Sequence, residues 1–394
     1  MNSLRSYFQA LSVTSMLVAA PLSAAHAQTV DAALDRLKAL VEDQSAKIEW
    51  TSADISGSDA VLVDVKVGGD GQMVPIGNVT LMGIEESDVG YRVESITLDR
   101  YAQDNASGTS VTVDGVSMTG VILPSEDEVD NFGGFLFYET ADVNEVRVNT
   151  GGSDVFSLTD MRIEVTDAAA GEPMGFTGTA EGFTADLSSI QDPQQKAVIQ
   201  ALGYEKISGT FELAGSWNPQ DGRMALSQYD LTVADAGTLG FSFDLGGYTP
   251  DFIKSLRELQ QQMAARPEGD NSAQGLAMLG LMQQLTFNTA EIAFTDDSLT
   301  NKVLDFVAKS QGMRPSDIAN QAKAVLPFAM AQLNNPELTA MVTQAVSAFL
   351  DDPKSLRITA EPGNPVPFAL IAAGAMSAPQ ELPKTLGVTV TANE

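Results

Sequence analysis

The side chains in this sequence that could do chemistry are almost all carboxylates. Aspartate and glutamate number 52 against 22 lysines and arginines, a net charge of −30 over 394 residues. Carboxylate-dependent glycan hydrolysis needs two such groups facing each other across a cleft. The densest candidates are Glu126, Asp127 and Glu128 with Asp130, followed by the pairs Asp296-Asp297 and Asp351-Asp352. Neighbouring acids of this kind are usually solvated loops or helix starts, and their spacing does not show which two would converge. Oxygen-rich clusters also suit Ca²⁺, but the Asp-x-Asp-x-Asn-Gly loop pattern is absent.

Other chemistries fall by composition. There is no cysteine, and the single histidine is His26. A Ser-His-Asp triad, a cysteine nucleophile and the usual His/Cys sites for zinc, copper or haem therefore have no side chains to use in the rest of the chain. No Gly-Lys dipeptide occurs, which removes the phosphate-binding Gly-x-x-x-x-Gly-Lys loop. Gly69-Asp70-Gly71 has Val74 where a dinucleotide fingerprint needs its third glycine, and no lysine has serine three residues before it. The acidic balance argues against nucleic acid and anionic membrane surfaces. The expectation is a protein without catalytic residues, metal or cofactor.

The N-terminus has the three parts of a secretory leader: Arg5, an apolar stretch from Ala10 to Ala20, and Ala25-His26-Ala27 after Pro21 as the small-x-small cleavage pattern. The apolar stretch is shorter than the roughly 20 residues of a membrane span. Cleavage after Ala27 would deliver the rest to the periplasm without a transmembrane anchor and without its only histidine. No cysteine follows for acylation.

The elements that must position any site divide into strands and then helices. Residues 30–44 read as a short amphipathic helix, with Val30, Leu34, Leu37 and Val41 at helical spacing. In the segment 60–67, Val61, Val63, Val65 and Val67 alternate onto one expected face. Residues 91–98 form another strand. Asp114-Gly115 reads as a type I′ hairpin turn between the flanking strands 111–113 and 116–122. Further strands are expected at 145–149 and 156–165. The segment 206–245 reads as a four-strand meander with one apolar face: Ile207 to Leu213, Met224 with Leu226, Tyr229 to Val233, and Leu239 to Leu245.

After Gly246-Gly247 the period changes to 3.6. Helices are expected at 250–265, 273–285, 298–310 (capped by Gly312), 316–333 (capped by Ser316, kinked at Pro327) and from Asn335-Pro336, with Leu338, Val342, Ala345 and Phe349 inward. An extended stretch intrudes near 287–294. Strands return at 355–360 and 386–391, and the apolar run 366–375 reads as a buried helix or rim element.

This order favours an α+β fold, a large antiparallel meander sheet with a C-terminal helical layer packed on one face. The expected divisions are a leader at 1–27, a β-rich region at 28–249 and a helical region with returning strands at 250–394, the last two in one continuous fold. Methionine adapts to varied apolar partners. Phe241 and Phe243 on the meander, with Met263, Met278 and Met282 on the first two helices after it, are therefore the candidate lining of a groove for a lipid or acyl chain. Met313, Met330 and Met341 lie on similar stripes, and ordinary core filling is the competing reading for all of them.

The segment Leu202–Leu245 (LGYEKISGTFELAGSWNPQDGRMALSQYDLTVADAGTLGFSFDL) resembles a class of uncharacterised exported proteins of Gram-negative bacteria. Lys384–Asn393 (KTLGVTVTAN) is similar to endings in that class. The strand style is distantly similar to AsmA-type envelope proteins, whose curved sheets form apolar troughs, although no stable N-terminal anchor like theirs is evident in the sequence. The resemblance implies an envelope setting, with a lipid or an envelope protein as partner, and carries over no catalytic residues. Oligomeric state is not implied. A ligand-free envelope scaffold and a carboxylate-dependent hydrolase are the other two readings open at this point.

Overall fold

The computed structural model describes residues 27–44, 46–69, 72–105, 108–129, 136–166, 173–190, 192–265 and 272–394. The expected leader up to His26, and Asp130 of the densest acidic cluster, lie outside the described residues. The fold is α+β. Helix α1 (27–43) precedes a run of antiparallel strands: β1 (Lys47–Glu49), β2 (Ser52–Ser56), β3 (Asp59–Gly69), β4 (Gln72–Ser87), β5 (Gly90–Asp104), β6 (Thr109–Pro124), β7 (Thr140–Thr150), β8 (Ser153–Thr166) and β9 (Met174–Asp186). Then come α2 (Pro193–Leu202), β10 (Lys206–Asn218), β11 (Arg223–Val233), β12 (Gly237–Gly246), α3 (Pro250–Ala265), α4 (Ser272–Met282) and β13 (Thr286–Asp296). The chain closes with α5 (Leu299–Gln311), α6 (Pro315–Met330), α7 (Pro336–Asp351), β14 (Ser355–Ala360), β15 (Val366–Pro367), α8 (Phe368–Ser377), α9 (Leu382–Thr385) and β16 (Val388–Ala392). The 16 strands belong to one sheet, hydrogen-bonded mostly in chain order, with β14 between β13 and β16.

Two compact units share these strands. Among the described residues the first holds 27–103 and 112–144, and the second holds 104–111 and 145–394. β12 and α3 thus lie in the same unit.

In the first unit, α1 places Val30, Ala33, Leu34, Leu37 and Leu40 on one stripe. They pack on Ala60, Leu62, Val65, Val79, Leu81, Ile84, Val93, Val121 and Leu123, and every one of these residues is at most 9 % exposed. Arg36 Nε donates to the Pro124 carbonyl at 2.5 Å, and the Lys38 ammonium sits 3.9 Å from the Trp50 ring centroid. The expected alternation of valines in β3 is corrected here. Ala60 and Leu62 face the core, Asp64 takes a left-handed backbone (φ 53°) where the register shifts, and Val65 is then buried. One residue in αL turns the strand's inward set from even to odd positions, as a β-bulge does. Asp114-Gly115 is likewise no hairpin turn, for β6 runs straight through it. Gly115 holds φ +64°, and an added Cβ would lie 2.1 Å from Asn144 Nδ2, so glycine is required for the close approach of two strands.

In the second unit, 206–245 forms three strands, not four. Met224, Leu226, Tyr229, Leu231 and Val233 belong to one strand, β11, whose register shifts between Leu226 and Asp230. The extra residue keeps apolar side chains on one face across the change from even to odd numbers. β9 and α2 have no counterpart among the expected elements. α2 buries no residue and is held by its ends: Asp192 Oδ1 accepts from the Gln194 and Gln195 N–H groups, and Gly203 closes it at φ 77°.

The helix ends after β13 are set locally. Asp296 Oδ1 accepts from Thr300 N–H at 2.8 Å, and Gly312 (φ 68°) closes α5. α6 is capped at Arg314, not at Ser316. The Asp317 carboxylate accepts from the Arg314 backbone N–H at 3.3 Å and from its guanidinium at 2.8 and 3.0 Å. α6 holds Pro327 within it and ends at Met330. Asn335 caps α7, and Ala345 and Phe349 face inward as expected.

Candidate functional site

Residues paired directly across antiparallel strands share a face, so the registers of the second unit define its surfaces. One row runs Met161, Ala180, Phe211, Leu231, Leu239, Phe294, Leu356, Ala392. The next joins Phe241, Ile292, Ile358 and Val390, with Leu213 and Tyr229 opposite each other on the far side of the β11 bulge. A third joins Leu226, Phe243, Ala290, Ala360 and Val388. A bulge leaves Asn288 unpaired, so Phe287 stands opposite Leu245 and Val366 and keeps to the same side. This face is apolar from β8 to β16.

The reverse face is polar. Thr232 pairs with Thr238 (Oγ1–Oγ1 2.9 Å), Gln228 Nε2 donates to Glu212 and Asp230 at 3.0 and 2.8 Å, and Glu291 accepts from Arg357 and Thr359. Asp244, almost fully buried, receives the Arg223 guanidinium (2.6 and 3.0 Å) and the Asn288 amide (2.8 Å). The hydrogen bonds from Arg223 to Asp244, with the charge of Asp244, raise the pKa of Arg223 above its ordinary value. The pair fastens β11, β12 and β13 beside the bulge.

The apolar face is covered unevenly. α7 lies along β16 and β14, with Phe349 edge-on to Phe294 at 6.4 Å between ring centroids. Met341 Sδ accepts the Val390 N–H at 3.0 Å, so the helix also caps the sheet's last edge strand. Val390 is 8 % exposed beneath it. Ile358, directly opposite Val390, is 44 % exposed. Along the same face Ile292 is 49 %, Leu239 47 %, Tyr229 39 % and Phe241 38 % exposed. These five side chains form an open apolar strip across β11, β12, β13 and β14. Phe211 stands edge-on to Tyr229 (4.9 Å), so the β11 end of the strip is lined by aromatic rings, and Phe243 lies 5.7 Å from Phe241 on β12.

Of the five residues singled out in the sequence, Phe241 and Phe243 are brought together on this strip. Met278 and Met282 are on the inner side of α4, packed against the small core of Phe252, Leu259, Leu281 and Leu285. Met263 projects from α3 and is exposed. Tyr229, Leu239, Ile292 and Ile358 complete the strip and were not singled out. Their alternation was visible, but only the strand pairing Phe241–Ile292–Ile358 shows that they are neighbours. Segment 366–375 is not a buried helix: after the two-residue strand β15, α8 buries no residue.

A separate cleft of 720 Å³ opens between α6 and α7, lined by Pro327, Ala331, Thr339, Thr343 and Ser347 among others. Thr339 and Thr343 spend their hydroxyls on the carbonyls of Asn335 and Thr339, so the cleft wall is small and largely self-satisfied. Among the described residues no three His, Cys, Asp or Glu side chains are placed to hold a metal ion, and no helix is long and apolar enough to cross a membrane.

Residues 230–393, which contain most of the strip and all the helices from α3 onward, match a protein family described only as "Uncharacterized protein". No curated protein matches the chain.

Proposed function

We propose that this is a non-enzymatic, exported protein of the bacterial cell envelope that holds an acyl chain on the open strip of its second unit. The observation that carries the reading is the contrast along one row of the sheet, from covered Val390 to exposed Ile358 and Ile292. Water gains nothing from this strip, which presents three branched aliphatic residues and two aromatic rings without a charged group. An alkyl chain laid across four strands would run over three inter-strand steps of about 4.8 Å, or roughly 14 Å, the reach of about ten methylenes. Burial of about 0.8 kcal/mol per CH₂, reduced by partial contact and by the cost of association, points to micromolar affinity. Strip residues and ligand would interact through shape and apolar contact alone, consistent with a sequence that has no cysteine and only one histidine.

Native mass spectrometry of protein purified without detergent tests this. The proposal expects a fraction carrying an adduct of acyl-chain mass, and at least a tenfold lower fraction in Phe241→Ser/Ile292→Ser/Ile358→Ser. A protein free of adducts that also fails to take up added dodecanoate would refute the lipid reading and leave a ligand-free scaffold as the better account.

A further inference from the structure

The helices α4 (SAQGLAMLGLM) and α8 (FALIAAGAMS) contain no Asp, Glu, Lys or Arg, in a chain of which 19 % is charged. They touch each other, and their inner sides are already occupied. Met278, Leu281 and Met282 of α4, with Phe368 of α8, pack against Phe252, Leu256 and Leu259 of α3. The outer sides are apolar as well. Leu276 is 71 % exposed with Leu279 one turn on, and α8 shows Leu370 at 56 % and Met376 at 78 %. A helix apolar on every side belongs in a protein core or in lipid, and among the described residues nothing covers these outward stripes.

The chemistry selects the occupant. A second copy would carry the same net charge of −30, and that like charge opposes self-association. Protein interfaces also pair an apolar centre with a hydrogen-bonding rim, whereas Leu276, Leu279, Gly280, Leu370, Ala373 and Met376 offer no polar side chain. A bilayer surface asks for none. Lysine-rich interfacial helices draw strength from anionic lipid, but a chain with a net charge of −30 would be repelled by it. Neither helix is long enough to span. We infer that α4 and α8 dock the protein on a membrane of electrically neutral headgroups by shallow insertion of Leu276, Leu279, Leu370 and Met376. This stands on its own observations and holds whether or not the strip carries an acyl chain.

The full chain purified from cells, floated with vesicles, tests the inference. With phosphatidylcholine alone the protein should float, and mixing in phosphatidylglycerol should lower the bound fraction. Leu276→Ser/Leu279→Ser/Leu370→Ser/Met376→Ser should lower it at least tenfold, since four apolar anchors are lost. If that variant does not fold, the α8 pair Leu370→Ser/Met376→Ser, both largely exposed, should still lower it severalfold. Absence of flotation, flotation that requires anionic lipid, or variants that float like the parent would each overturn it. So would a wild-type dimer by light scattering that these substitutions disperse without any vesicle binding, since the stripes would then belong to a second copy.

Discussion

In the first unit an amphipathic helix lays five apolar side chains over the sheet, and Leu62, Leu81 and Val93 beneath it have no measurable exposure. In the second unit the apolar face is longer and its helix is differently placed. α7 lies along the last strands and reaches β13 through Phe349, while Phe241, Ile292 and Ile358 stay open. The difference is one of helix economy. α1 spends its whole apolar stripe on strands, whereas α7 shares its surface between the sheet and α6, and α5 packs on α6 and α2. A closed apolar face stabilises the fold. An open apolar face contributes less to folding and remains able to bind.

The largest effect expected from breaking this comparison lies in the first unit. Leu81→Ala removes a fully buried side chain from beneath α1 and should cost about 2–5 kcal/mol, read as a lower midpoint in urea unfolding. Phe349→Ala removes the contact of α7 with Phe294 and should cost about 3 kcal/mol, with a gain in exposure of Val390 measurable by amide exchange. Ile292→Ser/Ile358→Ser on the open strip should change stability by less than about 1 kcal/mol, because half of each side chain is already in water.

The smallest effect is electrostatic. The Asp317 carboxyl is held below the ordinary carboxylate range, first by its hydrogen bond from the Arg314 guanidinium. A carboxylate depressed in the folded state adds stability above its unfolded value of about 4 and loses it as pH falls through the folded value. The first turn of α6 should therefore loosen in acid, and Asp317→Asn should flatten that part of the pH–stability curve. Both groups lie at the surface, so the change is a small one.

Local signals were legible in the sequence where a single residue decides the outcome. Gly312 closes α5, Asn335-Pro336 opens α7 and β14 falls at Ser355–Ala360, all as their residues indicate. The segregation of strands from C-terminal helices was also readable. Positions where a bulge flips the period were not: Asp64 and the β11 shift each change which residues face inward, and nothing in the strands' composition marks them. β9 escaped because its glycines interrupt the alternation. The space above Gly178 is filled by Leu213 from the next strand, which only pairing reveals. α2 escaped because it has caps but no apolar stripe. For the strip, Phe241 and Phe243 could be found by alternation along one strand, while Ile292 and Ile358 join them only through cross-strand register. The methionines misled because a helical apolar stripe serves a small local core as readily as a groove.

Methyl NMR with a spin-labelled fatty acid tests the central claim most directly, since it reads both units in one experiment. With an acyl chain held on the strip, the methyl signals of Ile292 and Ile358 broaden on titration while those of Leu62 and Leu81 keep their intensity. Unchanged signals at Ile292 and Ile358, or equal broadening in both units, would contradict it.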